Sequence, residues 1–166
     1  GERMTTLTTA PPEALLIPAG ATANGHPLDI YGSWILPKLT GAQTGGNLAI
    51  LESITPPGGG PPYHVHHREE EGFYVLEGEF LFEIGDRRIH AKPGDFLLAP
   101  RDIPHCFQNV GQTTGRKLVI VQPSGLELFF ADIAAVAGPP DPAKMVPIFH
   151  QYGLELLGPP MALRQS

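Results

Sequence analysis

The feature that most restricts this fold is the spacing of its turn signals. From about residue 45 to about 122, short apolar runs are cut every 8 to 12 residues or so by Gly, Pro, Asn and Asp. The cuts include Gly72, Gly78, Gly85-Asp86, Lys92-Pro93-Gly94-Asp95, Pro100 and the loop 111–115. Runs of four to seven residues remain between them, at 48–54, 73–76, 79–84, 87–91, 96–99, 105–110 and 117–122. Pieces this short are strands, and strands at this spacing build an all-β sandwich or barrel. The 19 Pro and 20 Gly in 166 residues suit that architecture better than a helical bundle. The length fits a single domain over 1–166 with one core.

The flanks read differently. In the N-terminal extension, 1–44, residues 4–13 are rich in Thr and Pro and are expected to be mobile. Residues 1–3 ahead of Met4 read as a remnant before the natural start, which the intact mass of native protein checks. Leu15, Leu16 and Ile17 form a short extended piece, Asn24-Gly25 a turn, 28–36 a strand, and 40–47 a Gly-rich loop. Trp34 reads as a core or interface anchor. The tail, 123–166, has helical composition. Ser124 is positioned to cap a helix over 125–136. Asp141-Pro142 reads as a cap followed by Pro at the first helical position, with a stop near Gly153. Pro147 argues against a regular helix throughout that second segment.

Net charge is −6 and no basic cluster appears, which argues against nucleic acid and anionic membrane as partners. The one cysteine, Cys106, allows no intrachain disulfide; this is consistent with a reducing cytoplasm. No run approaches the roughly 18 apolar residues of a membrane span. The first residues lack a basic segment followed by an apolar one, so a cytoplasmic location is expected.

The chemistry concentrates in residues 58–78. His64 and His66 are two apart, so on a strand their side chains leave one face about 6 to 7 Å apart. Two imidazoles so placed can lean onto one ion. Arg68, Glu69, Glu70 and Glu71 follow as a polar turn, and Glu71, directly before the next strand, is the carboxylate best placed to face the histidines. Glu69 and Glu70 read as solvated. His105 opens a strand downstream. Three imidazoles and one carboxylate suit Fe, Ni, Mn, Cu or Zn without selecting among them. Parity sends His67 to the opposite strand face from His66, and Cys106 away from His105 into a core. Phe73, Val75, Phe80, Phe82, Phe96 and Phe107 are core candidates; of these Phe73 and Phe107 can also line a substrate pocket beside the ligands. His26, His90 and His150 carry no signal.

Gly58, His64, His66, Glu71 and Gly78, with Gly94, Pro100, His105 and Asn109, resemble the two signature motifs of the cupin superfamily. Asp102 stands where the second motif has Gly, a change that alters the turn and touches no ligand. The likeness covers 58–109 and extends with flanking strands to a core of about 45–122. It implies a double-sheet jelly-roll β-barrel; the one or two short C-terminal helices read from the tail's own composition carry enough apolar residues to pack on its outside or on a partner. It also implies one divalent transition metal on His64, His66, Glu71 and His105, with Glu71 as catalytic base. The phrase from Pro61 to Glu79 is similar to small single-domain cupins of the quercetin dioxygenase-like type. A metal-dependent dioxygenase acting on a small aromatic or enolisable substrate is the first functional expectation. A non-oxidative isomerase, lyase or decarboxylase is the second, and a non-catalytic small-molecule-binding module the third. The resemblance further implies a homodimer, with Leu15 to Ile17 and the C-terminal segment as candidate contacts.

Overall fold

Alternating burial along short strands builds two facing sheets. The computed structural model describes residues 13–164; the Thr- and Pro-rich stretch lies almost wholly outside them. Eleven strands occur among the described residues. They are β1 (Leu28–Ile30), β2 (Ser33–Leu39), β3 (Ala49–Thr55), β4 (Pro62–His66), β5 (Glu70–Glu77) and β6 (Phe80–Ile84), then β7 (Arg87–Ala91), β8 (Phe96–Ala99), β9 (His105–Asn109), β10 (Gly115–Gln122) and β11 (Leu154–Pro160). One sheet has the order β1-β2-β3-β10-β5-β8 and the other β11-β4-β9-β6-β7, all antiparallel. No ladder joins the two, so the jelly roll is a sandwich rather than a hydrogen-bonded barrel. Its core holds Leu51, Phe73, Val75, Phe80, Phe82 and Val121.

Several expectations are corrected by local chemistry. The strand expected over 28–36 is split by a turn in which Tyr31 and Gly32 both take positive φ, so β1 folds back on β2. Within the expected loop 40–47 lies a single helical turn, α1 (Gly41–Thr44), closed by a capping box between Thr40 and Gln43. Helix α2 (Leu126–Ala134) is capped by Gly125 at φ 136°, with no side-chain cap, so Ser124 does not serve. Instead the Gly125 N–H donates to Glu127 of the first turn. The second helix, α3 (Pro142–Gln151), opens as expected, with Asp141 accepting from the Ala143 N–H. It runs through Pro147, which is tolerated because a single missing N–H in a packed helix removes one bond. Phe96 is not core: its parity on β8 sends it outward, 57% exposed. Trp34 likewise faces out, 43% exposed.

Strand β11 has no strand signature, since Gly158, Pro159 and Pro160 break its pattern. It forms because β4 has a free edge, and Leu154 and Leu156 pair opposite His66 and His64. The short helix α4 (Met161–Arg164) follows. Thus β1 edges one sheet and β11 the other, and α2 and α3 pack together between them, α2 on β1 and α3 on β11. The helix pair covers the open side of the sandwich.

Candidate metal centre

Both sheets contribute to one buried cluster. Strand β4 puts His64 and His66 on its inner face, and β9 places His105 directly opposite His64. Across the sandwich, β5 carries Glu71 inward, as the second residue of the strand rather than ahead of it. One ligand atom from each of the four lies within 4.8 Å of every other.

Hydrogen bonds on the far side of each ring settle which nitrogen faces in. His64 Nδ1 donates to the Pro62 carbonyl at 2.6 Å, and His105 Nδ1 donates to the Ile103 carbonyl at 3.1 Å. A carbonyl only accepts, so both rings carry their proton on Nδ1 and present an Nε2 lone pair inward. His66 Nδ1 does the same toward Glu69 Oε1 at 2.6 Å. In the neutral rings the inward atoms are then all acceptors. His64 Nε2 sits 3.1 Å from His66 Nε2, His105 Nε2 3.0 Å from Glu71 Oε1, and His66 Nε2 3.7 Å from Glu71 Oε2. Lone pairs this close repel unless something positive lies among them. Shared protons or one cation would relieve them, and the N and O donor set fits a transition metal.

The electrostatics agree. Burial resists charge on His64, as do the neighbouring His105 and His66, and its pKa falls well below the usual imidazole value. Burial also opposes charge on His66, but Glu71 and Glu69 outweigh it and raise that pKa. Burial by itself would raise Glu71; the surrounding His66, His105 and His64 overcome it and hold the carboxyl near 2.

Glu69 is not solvated. It is buried, and it orients His66 as an outer carboxylate typically orients a metal-ligating histidine. Its i, i+3 spacing from His66 was the available signal. Glu70 does face solvent, paired with Arg101. His67 points out and is bridged by Asp102 at 2.6 Å and Glu155 at 3.1 Å. Asp102 holds φ 68°, the left-handed conformation that glycine takes freely, so the departure from the motif is accommodated and its side chain is put to use. Cys106 is a buried thiol outside the main core, beside Leu81 and Met161. Burial and Glu83 push it up to about 11 against the pull of Arg164.

A cavity of about 860 Å³ opens on the cluster. His64, His66 and Glu71 form part of its wall, with Phe73 and Phe107 beside them and Leu126, Phe129 and Phe149 from the helices. The Phe73 and Phe107 rings lie edge to face at 6.0 Å. Among sites the sequence reading passed over is Lys117, treated there only as the start of a strand; it is wholly buried.

Three imidazoles and a carboxylate meeting between two jelly-roll sheets define a β-sandwich with a site fitted for a metal ion. Residues 51–121 match the cupin domain family, and this match together with the fold supports a cupin-superfamily protein. It is 33% identical over 63 residues to an uncharacterised protein of Methanocaldococcus jannaschii, covering 38% of this chain and 50% of that protein. It is 32% identical over 97 residues to quercetin 2,3-dioxygenase of Bacillus subtilis, covering 57% of this chain and 28% of the enzyme. The chain thus spans half or less of these two relatives. Among solved structures, KdgF from Halomonas superposes with a TM-score of 0.57 over 65% of this chain and 98% of that one; at 18% identity this concerns the fold alone.

Proposed function

We propose that the chain is a metal-dependent dioxygenase of the quercetinase-like type, acting on a small aromatic or enolisable substrate. The observation that carries this reading is the set of inward-facing acceptors on His64, His66, Glu71 and His105 at the wall of a largely apolar cavity. The distant likeness to quercetin 2,3-dioxygenase supports the reaction type. A divalent transition metal on those four side chains would supply a Lewis acid with open coordination positions.

The chain's own residues do the rest. Phe73 and Phe107 offer aromatic faces to a planar substrate, and Val119, Leu126 and Phe129 keep water from it. Glu71 accepts the proton of a substrate hydroxyl. Without a cation, charge on the imidazoles around Glu71 holds its pKa low against the upward push of burial.

The test is oxygen uptake on quercetin by protein loaded separately with Fe, Ni, Mn, Cu or Zn. At least one metal should support uptake with loss of the flavonol absorbance. Glu71→Gln should lower the rate at least about 100-fold, the usual scale for losing a general base. His105→Ala should lose bound metal by elemental analysis. Turnover under strict anaerobiosis would assign a non-oxidative reaction instead. Uptake that is indifferent to metal removal would refute the reading.

A further inference from the structure

Away from the histidines the cavity wall carries the hydroxyls of Ser53 and Thr55, and behind them lies the amine of Lys117, which is not itself part of the wall. On β10 the inward positions are Gly115, Lys117, Val119 and Val121, so an amine occupies a place where the pattern calls for an apolar side chain. Lys117 pairs with Val75 across the sheet, whereas Val121 pairs with Glu71. The two levels are four residues apart, about 13 Å between their backbones along the strand, and the amine itself is near enough to Glu71 to feel its charge. The Lys117 Nζ lies 3.5 Å from the centre of the Phe107 ring and 4.1 Å from that of Phe80. Its hydrogen bond, donated to Ser53 Oγ, is long at 3.4 Å. An ammonium carries three donors, so this one is under-used for a group with no exposure to water. Ser53 Oγ is in turn 3.5 Å from Thr55 Oγ1, and both residues line the cavity.

We propose that Lys117, with Ser53 and Thr55, binds an anionic oxygen of a ligand whose other end lies at the histidine cluster. The occupant is then an elongated, mainly apolar aromatic acid. One end carries a metal-binding hydroxyl and the other a carboxylate or phenolate. An oxygen held by the Ser53 hydroxyl would stand near the amine, since Lys117 Nζ is 3.4 Å from Ser53 Oγ. This rests on the cavity being the ligand site of the proposed enzyme, and not on which reaction occurs there. Burial draws the amine down to about 7, with Glu71 partly offsetting it. Above that pH an arriving anion recharges the amine, and binding takes up a proton.

Isothermal titration calorimetry on the full, metal-loaded chain at pH 8 tests this with two probes, 6-hydroxy-2-naphthoate and 2-naphthol. The naphthoate should bind at least about tenfold more tightly, the scale of one charge-assisted hydrogen bond. Its binding enthalpy should vary with the ionisation enthalpy of the buffer, which reports proton uptake. Lys117→Met should reduce the naphthoate to the affinity of the naphthol and remove the proton uptake. Ser53→Ala, a milder change, should do so in part if the lysine variant fails to fold. No preference in the wild-type chain, no binding of either probe, or a preference that survives both substitutions would overturn the proposal. Oxygen uptake on quercetin, measured separately, reports on the reaction, so failure of the one is distinguishable from failure of the other.

Discussion

At the scale of single residues, the site works by telling each imidazole which nitrogen to turn inward. Two backbone carbonyls do this for His64 and His105, and a carboxylate does it for His66. The carboxylate is the only one of the three partners that substitution can remove. Glu69→Gln keeps the shape and loses the charge. It should weaken metal binding by about 10- to 100-fold with all four ligands still present. Competition with a chelating dye measures that, and an affinity equal to wild type would show that Glu69 serves only to fill space. The clustering of these side chains was legible in the chain order, because the two-residue spacing of His64 and His66 survives in any strand. Glu69 was hidden by its neighbours. In a run of three glutamates the i, i+3 spacing from His66 is the one local hint, and it is the closing of the β4–β5 turn that sends the first of them inward.

Among the elements, the contact that sets the site is β4 against β9, which meet at the single pair His64 and His105. That narrow junction depends on how the loop before β4 lies along β9. There the Gly58 N–H donates to the Asn109 carbonyl and the Asn109 N–H donates to the Gly59 carbonyl, and a Cβ on Gly60 would stand 1.9 Å from the Phe107 carbonyl oxygen. No side chain fits at that distance, and the obstacle is backbone, which cannot rotate away. Gly60→Ala should therefore destabilise the chain by more than about 3 kcal/mol, beyond the range of ordinary overpacking. Thermal or urea unfolding reads the loss, and a variant with wild-type stability would refute the close approach. The stretch ahead of His64, 55–62, is stiffened by four prolines. Its glycines also do something that spacing could not reveal, which is to let two strands come together. Strand β11 escaped sequence reading for a related reason. Its formation is dictated by the open edge of β4, and its own residues carry no alternation to announce it.

For the molecule as a whole, the outer face of the six-stranded sheet stands out. Trp34, Tyr74, Phe96 and Leu98 are each at least 40% exposed, and they lie on the side of the sheet opposite the core. We propose this face, rather than Leu15 to Ile17, as the contact between two copies of the chain. Light scattering on the eluted protein should give twice the 17.8 kDa of the chain. Phe96→Lys with Leu98→Lys should return it to a single copy. A wild-type monomer at working concentration would dispose of the idea. The net charge of −6 offers no obstacle, since the face itself carries mainly apolar side chains.

What the order of residues determined was the strand content, the identity of the cluster and the side of each strand on which its members sit. These follow from a period of two and from turn residues that act locally. The tertiary structure alone decided that the sandwich stays open on one flank, that a Pro-rich tail segment becomes an edge strand, and that α2 and α3 cover the gap to make a cavity. It alone showed that an amine is sealed inside. Each of these is a matter of which surfaces are left over once the sheets have formed. Leftover edges and faces belong to the assembled fold, and no short stretch of sequence encodes them.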